Sequence, residues 1–366
     1  MSKKTTIYDI AKKLNITAAT VSRALNNNPK ISEATRELVL ETAAKMNYER
    51  NRLAQALKSG KSYNVGVVVP RIDSNFFASV IRGIEEELHP AGYHVIICQT
   101  HDQKKLELAN INSLLNAQID GVLVSISNAN DAANDGDTDT STKTNRKDLN
   151  AKENDMFSNL IRKNVPLIFF DRKKDIKGVS SVVINDFKGA YDATQHLIDQ
   201  GKKRIAHLSN NRDIEIFKNR YLGYKQALID NGLEFDESLV VECFSKVEHG
   251  KKVTGKLLAM PNPPDAIFSV SDFSALGAIQ EITEQGFKIP EDISVVGFSN
   301  EPFTKFMELS ISSVDQSPKE MGRIAAQVFL EEVNNGNKVK SVKHVVLSPE
   351  LIVRNSSLIN TTADVG

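Results

Sequence analysis

The stretch Thr6–Asn26, TIYDIAKKLNITAATVSRALN, has the apolar spacing of two short helices joined by a tight turn. Thr6, with Asp9 three residues later, predicts a capping box at the start of the first helix. Thr17 is placed to cap a second helix over Ala18–Leu25, whose outer face is small and polar. A helix pair of this shape is typical of a helix-turn-helix.

A third helix after Ser32 would complete a small bundle, since apolar and small residues repeat at helical spacing from Thr35 to Met46. A plain helical bundle has the same pattern, and charge favours DNA binding over that alternative. Residues 1–62 carry 12 Lys and Arg against 5 Asp and Glu, whereas the rest of the chain carries 34 against 41. A basic head suits the phosphates of a nucleic acid.

From Tyr63 onward, short buried strands alternate with amphipathic helices. This alternation predicts parallel, doubly wound sheets, and two sets in series predict two lobes with a cleft between them. The expected strands are Val65–Val69, Tyr93–Cys98, Gly121–Ile126 and Val165–Phe170 in the first set, and Val179–Ile184, Arg204–Leu208, Leu239–Cys243, Ala266–Val270 and Val295–Gly297 in the second.

Residues 128–154 interrupt this alternation. They are rich in Asn, Asp, Thr, Ser, Lys and Ala and show no apolar periodicity, which predicts a solvated, mobile loop. Because surface loops tolerate added length at a small entropic cost, a neutral surface insertion is favoured here over a functional lid.

Several function classes lack support in the sequence. Neither a signal peptide nor a membrane span is expected, and Cys98 and Cys243 lie outside any metal or redox motif. The segment Ser59–Ser62, SGKS, ends like a phosphate loop, but Gln55 stands where the first glycine is needed. We therefore expect no cofactor, no metal and no enzymatic activity, and a location in the bacterial cytoplasm.

The runs Thr6–Asn26, Ile31–Tyr48 (ISEATRELVLETAAKMNY) and Asn51–Ser62 (NRLAQALKSGKS) resemble the head of the lactose/galactose-repressor (LacI/GalR) family. The similarity continues to about Ser356. It implies an all-α helix-turn-helix head and an α/β, two-lobed body like the periplasmic binding proteins, with two doubly wound parallel sheets. It also implies a repressor that binds a palindromic operator as a homodimer. A small-molecule effector in the interlobe cleft, a sugar or related metabolite, would control its affinity for DNA.

The resemblance also implies the domain limits. They are residues 1–50 for the DNA-binding head, 51–62 for the hinge helix and linker, 63–356 for the effector-binding and dimerisation domain, and 357–366 for a tail. The first lobe is expected at about 63–173 and 317–340, and the second at about 174–316 and 341–356, with three chain crossings between them.

Carried over position by position, the DNA contacts divide into reading and positioning. Arg23 is expected to read a guanine, and Ala18 and Ala19 offer apolar contact to bases. Leu57 would act as a wedge in the minor groove, although packing inside a linker is the alternative, and the proline usual before this hinge helix is missing. Arg52 is expected near phosphates, and Ala54 is an apolar residue of the hinge helix. The other expected phosphate or sugar contacts, any of which could instead be a helix cap, are Thr6, Tyr8, Thr17, Thr20, Ser22, Asn26, Ser32 and Thr35.

The expected effector residues follow the carboxyl ends of strands, where open α/β sheets bind ligands. Asp272 has a helix cap as an equal alternative. Ser299 stands where many relatives have Asp, which argues against assuming a particular sugar. Arg220→Ala is expected to abolish the ligand response and to leave the fold intact. The set is Asp73, Phe76, Phe77, Asp171, Arg172, Arg220, Asp272, Ser299 and Gln316.

Two other classes of protein remain as alternatives to a transcriptional regulator. A solute-binding protein without a DNA role would share the two-lobed body, but the basic head argues against it. An enzyme acting on the ligand in the cleft would need a catalytic motif, and the sequence offers none.

Overall fold

A computed structural model describes residues 5–48, 60–127, 142–334 and 342–359, with side chains from residue 149 onward in the helix that starts at Thr142. The chain divides into two compact units, Met1–Ser62 and Tyr63–Gly366, called here the head and the body. Among the described residues, no helix combines the length and the apolar content that crossing a bilayer requires.

The head contains helices α1 (Ile7–Leu14), α2 (Ala18–Leu25) and α3 (Glu33–Lys45). The predicted capping box of α1 is confirmed, because the Thr6 side chain accepts from Asp9 N–H and the Asp9 carboxylate accepts from Thr6 N–H. Two unsatisfied N–H groups at the helix start are thereby paired.

The same local chemistry starts the next two helices. Thr17 Oγ1 accepts from Thr20 N–H at 3.1 Å, and Ser32 Oγ accepts from Thr35 N–H at 3.4 Å. Ile10, Val21 and Val39, one residue from each helix, are fully buried and form the centre of the head's core. The predicted three-helix bundle is therefore confirmed.

The body alternates strands and helices. Its strands are β1 (Asn64–Val69), β2 (His94–Gln99), β3 (Gly121–Val124), β4 (Leu167–Phe170), β5 (Ser180–Ile184), β6 (Ile205–Ser209), β7 (Val240–Glu242), β8 (Ala266–Ser269), β9 (Ser294–Phe298), β10 (Ser312–Asp315), β11 (His344–Leu347) and β12 (Glu350–Ile352). Its helices are α4 (Asn75–Leu88), α5 (Lys104–Asn116), α6 (Thr142–Arg162), α7 (Asp186–Asp199), α8 (Glu215–Asp230), α9 (Val247–Leu258), α10 (Asp272–Glu284), α11 (Phe303–Phe306) and α12 (Pro318–Asn334).

Two six-stranded sheets organise these elements into two lobes. The first sheet has the order β11-β5-β4-β3-β1-β2 and is parallel throughout. Helices α4 and α12 pack on one of its faces, and α5 and α6 pack on the other. Because both faces are covered, strands β3 and β4 carry no polar side chain, and β1 carries none after Asn64.

The second sheet has the order β12-β10-β9-β8-β6-β7, with β12 antiparallel to β10 and the other pairs parallel. Helices α7 and α8 pack together on one side, and α9 and α10 form the layer on the other. This arrangement confirms the predicted class of two doubly wound parallel sheets.

The predicted assignment of two strands to the second lobe is wrong. β5 pairs with β4, and β11 pairs with β5, so both belong to the first sheet. The first lobe therefore runs through Ile184 and includes His344–Leu347. The three crossings follow β5, follow β10 and separate β11 from β12. Strand pairing is a tertiary contact, and local periodicity does not report which sheet a buried strand joins.

The prediction of a loop over residues 128–154 is also wrong for its second half. Residues 142–154 form the first turns of α6, which continues through the apolar residues Met156, Phe157 and Leu160 of the first lobe's core. Packing of that downstream face stabilises a helix that the polar residues alone would not specify. Residues 128–141 lie outside the described part of the chain.

The return of the chain to the first lobe after β10 depends on two glycines. A Cβ atom on Gly83 of α4 would lie 2.0 Å from the Lys319 carbonyl oxygen, and one on Gly322 of α12 would lie 2.0 Å from the Val80 carbonyl oxygen. Only residues without a side chain let the two backbones come this close. The pair thereby seats α12 on the first lobe.

Candidate functional site

The head presents the predicted outer face of α2. Val21, Ala24 and Leu25 point into the core, whereas Arg23 and Ala19 are exposed. On α1, Tyr8 is 72% exposed although it is a large aromatic residue. A basic side chain and an aromatic ring on an otherwise small, polar surface suit contact with bases and backbone. Ala18, Thr20, Ser22 and Thr35 are half-buried, and Asn26 is exposed.

Four hydroxyl groups of the head, those of Thr17, Thr20, Ser32 and Thr35, are already hydrogen-bonded. Thr17 Oγ1 lies 2.9 Å from Thr20 Oγ1, and Ser32 Oγ lies 2.8 Å from Thr35 Oγ1, in addition to the capping bonds. A hydroxyl that caps a helix keeps acceptor or donor capacity for a second partner. Arg52, Ala54 and Leu57, predicted for the hinge helix, lie outside the described residues.

A cavity of about 580 Å³ lies in the body between the two lobes. Its walls come from segments that follow the carboxyl ends of β3, β4, β5 and β6, where parallel α/β sheets place ligands. Polar and charged side chains alternate there with aliphatic ones. The lining residues are Lys104, Ile126, Ser127, Asn150, Asn154, Asp171, Arg172, Lys173, Lys174, Asp175, Ile176, Val183, Ile184, Asp186, Asp213, Ile214, Glu215, Ile216 and Asn219.

Asp171 and Arg172, two of the predicted effector residues, lie on this cavity. The Asp171 carboxylate accepts from Ser125 Oγ at 2.8 Å, and the Arg172 guanidinium is paired with Asp102. Asp171 has a φ of +59°, a left-handed conformation that a non-glycine residue adopts at a cost. Burial raises the pKa of Asp171, and the neighbouring Arg172 opposes that rise.

Arg220 lies behind the cavity wall and is 4% exposed. Its Nε donates to Asp186 at 2.8 Å, and its NH1 donates to the Val270 carbonyl oxygen at 3.0 Å. NH2 reaches Gln316 Oε1 at 3.4 Å, and the guanidinium carbon lies 3.6 Å from the centroid of the Phe298 ring. The guanidinium is therefore held at each nitrogen and stacks on the Phe298 ring.

This arrangement links three of the predicted residues. Gln316 Nε2 donates to Ser299 Oγ at 3.0 Å, so Arg220, Gln316 and Ser299 form a continuous chain of hydrogen bonds. Burial raises the pKa of Asp186 to about 6 against the opposing effect of Arg220. Asp186 was missed by the sequence reasoning, although its place directly after β5 is the same signal that identified Asp171.

Seven of the nine predicted effector residues do not line the cavity: Arg220, Gln316 and Ser299, described above, and four others. Asp73 is exposed and bonded to Arg71 at 2.8 and 2.9 Å. Phe76 and Phe77 are buried in the core on the apolar face of α4, with their rings edge to face at 5.0 Å. Asp272 is fully buried and accepts from Ser313 Oγ at 2.6 Å and from Glu301 N–H at 2.8 Å. Its role is to join the loop after β9 and strand β10 to the start of α10.

One wall of the cavity rests on a cluster of buried charges that the sequence reasoning did not find. Lys104 Nζ lies 2.7 Å from Glu153 Oε2, and these side chains are 6% and 0% exposed. Lys174 pairs with the same oxygen of Glu153. The Glu107 carboxylate accepts from the Ser127 N–H beside them. Burial and the neighbouring Glu153 raise the pKa of Glu107 to about 8.

The pKa of Glu107 predicts a pH dependence of stability. The folded protein holds this carboxyl protonated up to about pH 8, whereas its ordinary pKa is 4.5. Because the folded state then binds more protons than the unfolded state, the stabilisation is complete below about pH 4.5 and is lost as the pH rises towards 8. We expect the free energy of unfolding of Glu107→Gln to fall less steeply over this range in urea titrations. Parallel curves for both proteins would contradict the assignment.

Three family models match the chain. Residues 6–51 match the model of bacterial regulatory proteins of the lacI family. Residues 62–135 match the model of periplasmic binding proteins and the sugar binding domain of the LacI family, and residues 194–357 match a periplasmic binding protein-like domain. The head and the body thus each match a separate part of one family architecture.

Whole-chain comparisons agree. The chain is 32% identical to the HTH-type transcriptional regulator DegA of Bacillus subtilis (strain 168), over 98% of this chain and 100% of DegA. It is also 32% identical to the HTH-type transcriptional repressor CytR of Escherichia coli (strain K12), over 96% of each. These relatives are regulators, so the enzyme alternative does not hold.

Solved structures share the fold. The lac repressor dimer bound to operator and the anti-inducer ONPF aligns with a TM-score of 0.81 at 23% identity, over 98% of this chain and all of that one. The transcriptional regulator CelR in complex with cellobiose aligns with a TM-score of 0.66 at 26% identity, over 96% of this chain and all of that one. On its sequence and its fold, the chain belongs to the LacI family of bacterial transcriptional regulators.

Proposed function

We propose that this regulator is a homodimeric repressor of the bacterial cytoplasm that binds a palindromic operator. A small hydroxyl-rich metabolite would raise or lower its affinity for that operator. The observation that carries the proposal is the cavity of about 580 Å³ between the lobes, with charged groups on both of its sides. A cavity of this size suits a small molecule.

The charges on the cavity wall favour a neutral, polar effector. Four basic side chains and five acidic ones line it, so neither sign dominates. Carboxylates and guanidinium groups make directional hydrogen bonds to hydroxyls, and the aliphatic residues Ile126, Ile214 and Ile216 can cover an apolar sugar face. The cellobiose bound by the relative CelR belongs to this chemical class.

Arg220 connects the cavity wall to the segments that cross between the lobes. Its partner Asp186 follows the first crossing between the lobes, and its partner Gln316 precedes the second. A ligand that shifts Asp186 therefore acts on two of the three connections through one side chain. We expect the effector to favour one lobe arrangement over another and so to change the presentation of two heads to DNA.

On DNA, we propose that Arg23 reads a guanine in each half-site. The other proposed contacts either position the head on the DNA backbone or make apolar contact with bases. They are Thr6, Tyr8, Thr17, Ala18, Ala19, Thr20, Ser22, Asn26, Ser32, Thr35, Arg52, Ala54 and Leu57. A single head reads few base pairs, and two heads related by a twofold axis read an inverted repeat. Tyr8 and Arg23 are exposed on the head as this role requires.

Selection from a random duplex library tests the proposal. We expect the full chain to enrich inverted repeats, and Arg23→Ala to lose about 1–3 kcal/mol of discrimination at one position of each half-site. Arg23→Lys is the matched control, because it keeps the charge and loses the bidentate geometry; it should retain unspecific affinity with weakened base preference. Enrichment of unsymmetrical sequences, or the same preference in all three proteins, would contradict the proposal.

A further inference from the structure

We propose that the C-terminal end of the polar insertion, residues 149–154, is part of the effector site, with Asn150 and Asn154 as specificity-determining residues that donate hydrogen bonds to oxygen atoms of the ligand. This inference rests on the proposed function and deepens it. It reverses the interpretation of the insertion as a neutral surface feature. Both residues lie on the described part of α6 and line the cavity between the lobes.

Helix geometry brings the two amides to one face. Residues four apart on a helix lie one above the other, so Asn150 and Asn154 point in the same direction. Each amide oxygen is already bonded to a lysine: Asn150 Oδ1 accepts from Lys104 at 2.7 Å, and Asn154 Oδ1 accepts from Lys174 at 3.3 Å. These bonds orient both amide groups and occupy their acceptors.

The amide nitrogens are the groups left to meet a ligand. Within the described part of the chain, neither Asn150 Nδ2 nor Asn154 Nδ2 donates a hydrogen bond to another residue. Each carries two N–H donors. The wall therefore selects a ligand that presents acceptors, such as the hydroxyl or ring oxygens of a sugar.

Buried charge holds this wall in place. Glu153 lies between the two asparagines in sequence, is fully buried, and pairs with both Lys104 and Lys174. The two lysines that orient the amides are thus fixed by a carboxylate of the same helix. A surface insertion without function would not require a buried, doubly paired carboxylate, whose desolvation is costly.

The test uses the full chain and calorimetric titration with a fixed panel of ribose, glucose, cellobiose, adenosine and hypoxanthine. For any panel member that binds the wild type, we expect Asn150→Ala/Asn154→Ala to bind at least about tenfold more weakly, from the loss of two hydrogen bonds. The control is Lys152→Ala, an exposed position on the same helix outside the cavity, which should bind like the wild type. The high helix propensity of alanine offsets part of the cost of losing the bonds from Lys104 and Lys174, so the double variant should stay folded at the titration temperature, which its melting temperature without ligand checks.

The possible results of the titration distinguish failure of this inference from failure of the proposed function. A panel member that binds the wild type and the double variant equally overturns this inference and leaves the proposed function standing. A wild type that binds no panel member overturns the proposed effector class and the inference with it. Equal weakening in Lys152→Ala and in the double variant also overturns the inference, because the effect would then come from the helix and not from the amides.

Discussion

Arg220→Ala is expected to lower the free energy of unfolding of the body by about 3–5 kcal/mol, because it leaves the buried carboxylate of Asp186 without its partner. The two side chains are 4% and 6% exposed and lie 2.8 Å apart. The same change removes the hydrogen bond to the Val270 carbonyl oxygen and the stacking on Phe298. Urea unfolding of wild type and variant at neutral pH measures the loss.

The double variant Arg220→Ala/Asp186→Asn is the matched control. Removing the unpaired charge together with its partner should recover part of the lost stability, and the cycle of four proteins isolates the coupling between the two residues. A single variant within about 0.5 kcal/mol of the wild type would show that the pair is not closed in solution.

This result would change how Arg220 is tested for effector binding. From the sequence, Arg220→Ala was expected to remove the ligand response and to keep the fold. The structure shows that the residue is a buried support of the body, so a lost response in the single variant would not distinguish ligand contact from unfolding. Because Asp186 itself lines the cavity, that distinction comes from comparing the double variant with Asp186→Asn, which keeps Arg220.

Glu153→Ala is expected to destabilise the body by about 3 kcal/mol, since Lys104 would stay buried without the carboxylate that pairs with it at 2.7 Å. Ionisation of Glu107 would partly replace the lost charge, and this places the expected loss at the low end of the range for broken buried pairs. The pKa of Glu107 should fall in the variant, because Glu153 is one of the causes that raise it. Urea unfolding between about pH 5 and about pH 9 measures both effects, because this range brackets the titration of Glu107.

The neighbouring change Lys152→Ala provides the comparison. Lys152 is exposed on the same helix, and its replacement should stay within about 0.5 kcal/mol of the wild type. If Glu153→Ala is equally mild, residues 142–154 are a surface feature and not part of the first lobe. The two variants therefore show whether residues 142–154 are a packed part of the first lobe, as the structure indicates, or a neutral surface insertion, as the composition predicts.

The buried positions of Arg220 and Glu153 have a common consequence for the mechanism. Each residue joins elements that are distant in sequence: Arg220 bonds Asp186 and Gln316, and Glu153 bonds Lys104 and Lys174. Polar networks of this kind cost stability when one member is removed and define one arrangement when complete. A ligand bound in the cavity, as proposed above, would act on residues that are already coupled.

Local sequence determined the head and the layer order of the body. The caps at Thr6, Thr17 and Ser32 and the limits of Ala18–Leu25 follow from neighbours within one helical turn, so the sequence predicts them correctly. The alternation of strands and helices likewise reflects the period of side-chain burial, which each segment carries by itself. Asp171 and Arg172 were found because a strand end marks the ligand-binding edge of a parallel sheet.

The tertiary structure alone decided which sheet β5 and β11 join, where Asp272, Phe76 and Phe77 point, and that residues 142–154 are helical. Strand pairing, the burial of Glu153 beside Lys104 and the closure of Arg220 on Asp186 are contacts between residues far apart in the chain. Their free energy arises only when the segments meet, through desolvation and pairing that no single segment contains. The polar residues of the cavity wall therefore look ordinary in the sequence, and folding brings them together between the lobes.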